Sequence, residues 1–333
     1  AGRTMRLGAR RAAREPVREA EAALVSPASR PRSLEDLEAA AAVRVEVAHC
    51  TARNWGGRHE NEDRWMSQEG TYSPLSLPFH MLGVMDGHDT ESASDLVSRL
   101  LPGVLSRHLQ EGKAVDEAYT VAMVELEEAL KKVHATAGTC LVSCTLAGRF
   151  VWCANLGDCR AALVPLRAPA GEATAPSVAG LCWLSRDHKA SAPEERRRIV
   201  QAGGVVTDGR VEGLEPSRTL GDFDVKNHVK EGVISIVPEV RRYELGDGTS
   251  PAYAVLVCAT DGVWDVLMGQ DVCDLIQARK ELGRLLAAVR EGATADRKPL
   301  QDLAEDFVQF SIAKGSSDDC TALVALVAVG PGG

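Results

Sequence analysis

The chain has 333 residues, and 45% of them are hydrophobic, so it can bury a sizeable core as one large domain or as two small ones. A formal net charge of −9 argues against a nucleic-acid binder that neutralises a phosphate backbone, and an aromatic content of 4% argues against a base-stacking surface. Most of the nine cysteines lie inside apolar runs and none forms a Cys-x-x-Cys pair, which indicates buried thiols in a reducing compartment rather than disulfides or structural zinc.

The first 42 residues are rich in alanine and arginine, with glutamates among the arginines. This composition predicts a mobile extension or a peripheral, solvated helix. An organelle transit peptide stays open as an alternative for an Arg-rich N-terminus, although the glutamates weaken it. The sequence shows no secretory signal and no apolar stretch long enough for a transmembrane segment, and we expect a cytoplasmic or nuclear location.

Alternating polar and apolar residues over 43–50 predict the first strand, and we place the start of a main domain, residues 43–329, at this point. The charged segment 54–65 follows. In it, the planar guanidinium of Arg58 could grip an anion, while Glu62 and Asp63 add carboxylate acceptors. Taken by itself, the segment is equally well explained as a solvated surface loop.

The apolar run at residues 81–85 predicts a buried strand that stops at Asp86, Gly87 and His88. Asp86 then stands where the strand leaves the core. Gly87 lets its carbonyl group approach an ion, and His88 can hold or deliver a proton near neutral pH. Taken alone, Asp-Gly after a strand is more simply a hairpin turn.

Two packing helices are predicted next. Helical spacing of apolar residues indicates one helix over residues 91–109, with a break or restart at Pro102, and a second over residues 114–133. A β-hairpin with its turn at Gly148-Arg149 is predicted within residues 139–164.

Residues 165–180 form a low-complexity stretch of Ala, Pro, Gly and Ser, which predicts a surface insertion. A helix opened by Pro193 and ended by Gly203-Gly204 follows. The charged, loop-like segment 207–230 is predicted to form a rim or flap beside a cleft. Two or three helices are expected between residues 269 and 310, and a final strand closes the sheet.

The pattern seen at Asp86 recurs in the chain. One strand of the predicted hairpin stops at Asp158, the apolar run 253–259 stops at Asp261, and Asp318 with Asp319 comes just before the last strand. Hard divalent ions such as Mg²⁺ or Mn²⁺ take oxygen ligands, usually a few carboxylates with several waters. Single carboxylates at several strand ends suit such an ion.

In this order the segments resemble the metal-dependent serine/threonine protein phosphatases of type 2C. The resemblance covers about residues 43–329 and rests on nearly every segment rather than on one motif. The matching residues are Arg58 with Glu62-Asp63, Asp86-Gly87-His88, Gly138-Thr139, residues 154–160, Asp187-His188-Lys189, Glu194 with Arg198-Ile199, Gly203-Gly204, residues 217–222, Pro238-Glu239-Val240, residues 261–265 and residues 315–319.

The resemblance implies an α+β fold, a four-layer α-β-β-α sandwich with two central antiparallel sheets between outer helices. It also implies a centre with two Mn²⁺ or Mg²⁺ ions at one end of the sandwich. Asp86 would bridge these ions, and Asp261 and Asp318 would hold the first of them.

The Gly87 carbonyl and, through water, Glu62 would hold the second ion, with Asp63 supporting its water shell. A third, weaker ion is implied near Asp158 and Asp261.

The activity implied is hydrolysis of phosphoserine and phosphothreonine in phosphorylated protein substrates, by direct attack of a metal-bridging water or hydroxide. Bound cations lower the pKa of that water. Arg58 would bind the substrate phosphate, and His88 would protonate the departing oxygen. No cysteine nucleophile is needed, and we expect a monomer that acts in signalling.

Four residues depart from the family pattern. Asp89-Thr90 stands where small glycines are usual, and we predict that Asp89 caps the next helix; tuning of metal affinity or a hydrogen bond to His88 is the alternative. Cys159 replaces a serine and Asp319 an asparagine, each of similar size. The added charge of Asp319 predicts a tighter-held ion.

A catalytically weak pseudophosphatase that acts as a scaffold or binding module is the main alternative, but such relatives typically lack ligands that are all present in this chain. A metal-dependent nuclease or another phosphoesterase would also use clustered carboxylates, yet the acidic chain offers no basic track for a polyanion. Substrate choice is expected to depend on the rim 207–230, the insertion 165–180 and the N-terminal arm.

Overall fold

Two antiparallel β-sheets lie face to face between outer helices in the computed structural model of the chain. The structure describes residues 25–27, 43–54, 59–72, 77–133, 136–167, 176–246, 250–293 and 296–330. This architecture is the α+β sandwich that the resemblance implied, and that prediction is confirmed.

The first sheet has seven strands. In order across the sheet they are β1 (Val25–Pro27), β11 (Glu239–Leu245), β6 (Phe150–Leu156), β5 (Gly138–Ala147), β4 (Leu77–His88) and β3 (Arg64–Tyr72), and β10 (Leu220–Gly221) pairs with β5 outside this path. Strands β5 and β6 form the predicted hairpin. Gly148, in its turn, has a φ of 55°, which a residue without a Cβ adopts at little cost.

The second sheet has six strands. Their order is β2 (Val43–Ala52), β13 (Cys320–Val329), β12 (Ala252–Ala259), β7 (Arg160–Arg167) and β8 (Ser177–Val178), and β9 (Cys182–Trp183) pairs with β7. The last strand, β13, lies inside this sheet, between β2 and β12, rather than closing it at an edge. All ten of its residues are buried, because it has a strand on each side and cover on both faces.

The described residues form eight helices. They are α1 (Ser92–Gln110), α2 (Val115–Val133), α3 (Pro193–Gln201), α4 (Phe223–Lys226), α5 (Asp261–Trp264), α6 (Gly269–Ala278), α7 (Leu282–Glu291) and α8 (Lys298–Ala313). Three of these, α6 to α8, fall in the stretch where two or three helices were predicted. None of the described helices is long and apolar enough to cross a membrane.

Three apolar clusters fill the three interfaces between the four layers. One lies between α1, α2 and the first sheet, one between the two sheets, and one between the second sheet and helices α5 to α8. Strand β13 shows why the layers form. Its residues alternate, so that Val324 and Leu326 face the helices while Leu323 and Ala325 face the other sheet.

Helix α1 continues through Pro102, where a break was predicted. A proline inside a helix removes a hydrogen bond and costs about 3 kcal/mol. Val97, Leu101 and Leu105 are fully buried in the cluster between the helices and the first sheet. Burial of this face on both sides of the proline outweighs the local cost.

Residues 25–27 form strand β1 against β11, within the N-terminal segment for which an extension or a helix was predicted. The other residues of 1–42 lie outside the described residues, as do residues 168–175 of the insertion. Strand β2 begins at Val43, the residue at which the main domain was placed. The boundaries predicted for the N-terminal segment and the insertion stay predictions.

Candidate metal centre

Asp86 lies near the end of β4, where this strand leaves the core. Residues 81–85 are buried because the helices cover one face of the strand and the second sheet covers the other. Asp86 itself is half-buried and pairs with Cys140 of β5. Strand β4 therefore places the Asp86 carboxylate at one end of the sandwich, directly after an apolar run.

Asp158 and Asp261 reach the same place from two other strand ends. Asp158 follows β6 and the left-handed Gly157, and Asp261 begins α5 two residues after β12. One carboxylate oxygen from each of Asp86, Asp158 and Asp261 lies within 4.8 Å of the other two. Since β6 belongs to the first sheet and β12 to the second, the site lies where both sheets end.

Negative charge is concentrated in this group. Burial raises the pKa of Asp86 well above its usual value, and the charges of Asp261, Asp63 and Asp158 raise it further. Burial also raises the pKa of Asp158 to about 6, and burial together with Asp158 raises the pKa of Asp261. Like charges crowded together in this way are stabilised by a cation, and three carboxylates are suitable ligands for Mg²⁺ or Mn²⁺.

Gly87 lies against the backbone of Glu62. A Cβ at Gly87 would lie 2.6 Å from the Glu62 carbonyl oxygen and 2.7 Å from Ser94 Oγ, so a larger residue does not fit without displacement. Burial raises the pKa of the Glu62 carboxyl group. The two residues expected to hold a second ion are thus neighbours.

Asp63 is buried and ties several elements together. Its Oδ2 accepts a hydrogen bond of 2.9 Å from Thr260 Oγ1, and burial raises its pKa to about 7. Thr260 Oγ1 also accepts a hydrogen bond from the backbone amide of Thr321. Asp63 is therefore linked to the starts of both α5 and β13.

Asp318 is exposed and lies beside the group of three, without being one of its members. Its charge contributes to the raised pKa of both Asp86 and Asp261. Gly262 permits the close approach of this segment to α5, because a Cβ there would lie 2.0 Å from the Asp319 carbonyl oxygen.

His88 is held by a residue to which sequence analysis gave no role. His88 Nε2 lies 2.6 Å from Asp222 Oδ1. Burial alone would lower the pKa of His88, but the hydrogen bond and charge of Asp222, with the charges of Asp89 and Asp158, outweigh burial and raise it. Asp222 was only part of a matching segment, and 134 positions separate it from His88.

A sequence profile of the family described as Protein phosphatase 2C matches residues 48–320. The chain belongs to the protein phosphatase 2C family. Relatives include Probable protein phosphatase 2C 22 of Arabidopsis thaliana, 27% identical over 274 residues, which covers 79% of this chain and 62% of the relative. Probable protein phosphatase 1N of Homo sapiens is 32% identical over 253 residues, which covers 72% of this chain and 51% of the relative. The chain thus spans between half and two thirds of these relatives' lengths.

A solved structure of serine-threonine phosphatase 2C from Toxoplasma gondii is also similar, with a TM-score of 0.57. The alignment covers 85% of this chain and 95% of that chain, at 24% sequence identity. At this level of identity the likeness shows a shared fold, and it agrees with the two sheets and outer helices described above.

Two departures from the protein phosphatase 2C pattern have a structural explanation. Asp89 has a φ of 68°, in the left-handed region that favours glycine and that aspartate tolerates better than most residues. The predicted cap is wrong, because the N-cap of α1 is Glu91 and no side chain caps that end. Cys159 is fully buried, which suits a small residue in place of serine.

The positively charged side chain of Lys189 lies near the site of this protein phosphatase 2C chain. Lys189 Nζ donates to Glu215 Oε1 at 2.9 Å and to Asp265 Oδ1 at 3.1 Å. Its charge lowers the pKa of Asp158, against the larger effect of burial. Lys189 and Asp265 both lie in segments that matched the family, but sequence analysis assigned no role to either.

Arg58, which was expected to bind the substrate phosphate, lies outside the described residues. Its role stays a prediction, as do the individual assignments of the carboxylates to particular ions.

Proposed function

We propose that this chain is a metal-dependent serine/threonine protein phosphatase that hydrolyses phosphoserine and phosphothreonine in proteins. The observation that carries the proposal is the approach of the Asp86, Asp158 and Asp261 carboxylates to within 4.8 Å of one another. These residues come from three separate strand ends of a protein phosphatase 2C chain. Such a group suits the cations that assist phosphate ester hydrolysis.

The proposed centre holds two Mn²⁺ or Mg²⁺ ions and, more weakly, a third. Its proposed ligands are Asp86 between the first two ions, Asp261 and Asp318 at the first, the Gly87 carbonyl and Glu62 at the second, and Asp158 with Asp261 at the third. When bound, these cations lower the pKa of the attacking water and offset the charge of the phosphoryl oxygens.

The other proposed roles belong to side chains that handle the substrate. Arg58 binds the phosphate, because its planar fork matches phosphate oxygens. His88 gives a proton to the departing serine or threonine oxygen. A thiol nucleophile is disfavoured, since burial raises the pKa of the two cysteines beside the centre, Cys140 and Cys159, well above the usual value.

The proposal extends to the setting of the reaction. The substrates are phosphorylated proteins, the working state is a monomer, and the location is the cytoplasm or the nucleus, where the enzyme acts in signalling. The buried free cysteines suit a reducing compartment.

Release of phosphate from a phosphothreonine peptide tests the proposal. The chain should release phosphate with Mn²⁺ or Mg²⁺ and stop when a chelator is added. Asp86→Asn and Asp261→Asn should each lose most of this activity. Asp116→Asn is the matched control, because Asp116 is exposed on α2, away from the site.

A scaffold that has kept the fold without the reaction would give a different result. It would release no phosphate with either cation, whether or not the cations bind. That outcome would refute the phosphatase proposal and favour the pseudophosphatase alternative.

A further inference from the structure

His88 and Asp222 form a hydrogen-bonded pair. His88 Nε2 and Asp222 Oδ1 are 2.6 Å apart, a short distance typical of a charge-assisted hydrogen bond. Asp222 is buried, whereas the side chain of His88 is 30% exposed. A buried carboxylate thus holds one edge of a ring that is otherwise accessible.

Asp222 is itself fixed in place by its surroundings. Its Oδ2 accepts a hydrogen bond from Thr219 Oγ1, its amide donates to Ala137 O, and its carbonyl accepts from the amide of Lys226. Its φ of 55° and ψ of 41° lie in the left-handed region, which is unusual for a residue other than glycine. Local strain of this kind persists only where the surroundings determine it, and it is common at functional sites.

The loop that carries Asp222 is anchored to α2 through Glu127. Glu127 Oε2 accepts a hydrogen bond of 2.8 Å from the amide of Gly221, and Glu127 Oε1 accepts one of 2.6 Å from Lys226 Nζ. Lys226 Nζ also donates to Thr219 O at 2.9 Å. The carboxylate of Asp222 is therefore placed by a buried network that reaches the outer helix layer.

Gly138 leaves the space in which His88 and Asp222 meet. A Cβ at this position would lie 2.3 Å from His88 Nε2 and 2.4 Å from both carboxylate oxygens of Asp222. The contact thus depends on a residue without a side chain on the neighbouring strand β5, which pairs His88 with Gly138.

We propose that Asp222 is a positioning residue, which holds the Nε2–H edge of His88 so that Nδ1 delivers the proton to the departing oxygen. This inference rests on the proposed phosphatase function. Among the described residues, Nδ1 of His88 has no hydrogen-bond partner, whereas Nε2 has Asp222. A carboxylate that fixes the orientation and tautomer of a histidine is a known device in acid-base catalysis.

The oxygen of a water molecule forms a bond to phosphorus, and the bond from phosphorus to the serine or threonine oxygen breaks. That oxygen keeps the electron pair and takes the proton from Nδ1. The proton on Nε2 stays on the ring and keeps its hydrogen bond to Asp222. One proton of the water remains on the phosphate product, and the other restores the proton on His88.

The test compares two substrates that differ in their need for an acid. A phosphothreonine peptide has a poor leaving group, whereas p-nitrophenyl phosphate has a good one that departs without protonation. Asp222→Asn should lower kcat on the peptide by about 10²-fold, a usual size for loss of general acid catalysis, and change kcat on p-nitrophenyl phosphate by less than about threefold.

His88→Gln should show the same split between substrates, and the double variant should be no worse than His88→Gln alone, because both changes remove one function. Asp224→Asn is the matched control, since Asp224 is an exposed carboxylate in α4, the short helix that follows Asp222, and the change should leave the rates on both substrates unaffected. In the chelator-treated protein, ¹⁵N NMR of labelled histidine should show the proton of neutral His88 on Nε2, and Asp222→Asn should disturb that preference.

Two results would overturn the inference while leaving the phosphatase function intact. One is an active Asp222→Asn variant that hydrolyses both substrates more slowly by the same factor. The other is an Asp222→Asn variant with an unchanged rate on the peptide, although His88→Gln hydrolyses the peptide slowly. Failure of the function itself is different, because the unmodified chain would then release no phosphate from either substrate.

Discussion

The amide of Glu62 donates a hydrogen bond of 3.0 Å to Asp319 Oδ2, and the amide of Asn54 donates one of 2.9 Å to Asp319 Oδ1. One buried carboxylate near the C-terminus therefore fixes two separate points of the N-terminal part of the domain. Asp319 was singled out in the sequence as an added negative charge, whereas its contacts are those of a structural brace for the backbone that carries Glu62.

We therefore expect Asp319→Asn to lower the free energy of unfolding by about 1–3 kcal/mol, because an amide offers only one acceptor oxygen to two backbone donors. Urea denaturation in the presence of chelator measures this change without any contribution from metal. Asp208→Asn is a suitable control, since Asp208 is exposed and has a φ of 51°, which asparagine also adopts. Equal stability of the Asp319→Asn variant and the unmodified chain would contradict the brace.

Gly138→Ala should damage the contact between His88 and Asp222 directly. The added methyl group has no space beside His88 Nε2, so we expect kcat on a phosphothreonine peptide to fall at least about tenfold through misplacement of the acid.

Gly103→Ala is the control for this change, because a Cβ at Gly103 in α1 meets nothing within 4 Å. That variant should keep full activity and gain about 0.5–1 kcal/mol of stability, as expected for alanine in a helix. Normal peptide hydrolysis by a folded Gly138→Ala protein would show that the tight packing at Gly138 is unimportant for the reaction.

Asp261→Asn should change the stability of the metal-free protein and the stabilisation by Mn²⁺ in opposite directions. In chelator-treated protein this change removes a repelling charge beside Asp86 and Asp158, and we therefore expect stability to rise. The stabilisation that Mn²⁺ gives to the unmodified protein should be largely lost in the variant. Thermal denaturation with and without Mn²⁺ measures both effects, and a Mn²⁺-induced shift of the same size in both proteins would remove Asp261 from the set of ligands.

The acid stability of the fold should depend on Glu195, a buried carboxylate of α3. Burial would raise its pKa, but hydrogen bonds from Arg218, Ser217 and Arg198 outweigh burial and lower the pKa from 4.5 to about 2. A carboxyl group whose pKa is lowered in the folded state adds stability above its unfolded pKa, and this stability is lost as the pH falls towards the folded value.

Glu195→Gln should therefore be less stable than the unmodified protein at neutral pH, with the difference shrinking between about pH 4.5 and about pH 2. Denaturant titrations at a series of pH values give this difference. A gap that stays constant over the whole range would mean that the charge of Glu195 contributes nothing.

Much of the fold follows from local patterns in the chain. Alternation marked β2, the apolar runs marked β4 and β12, and the spacing of apolar residues marked α1 and α2. Pro193 at the start and Gly203-Gly204 at the end marked α3. The low helix propensity of proline predicted a break at Pro102, and this prediction was wrong. Propensity describes the backbone alone, whereas burial of the surrounding leucines keeps α1 continuous through Pro102. The place of β13 between β2 and β12 was likewise not visible in a run of apolar residues.

The sequence by itself determined which side chains stand at the ends of strands, because an apolar run that stops at a carboxylate is a local feature. The resemblance implied one centre for several of these side chains, but only the tertiary structure decided which of them meet. The fold places Asp86, Asp158 and Asp261 within 4.8 Å of one another. It also places Asp319 where it accepts a hydrogen bond from the amide of Glu62, and Asp222 where it contacts His88. The physical reason is that such contacts depend on the packing of two sheets and on buried hydrogen bonds between distant residues, and neither has a signature in residue spacing.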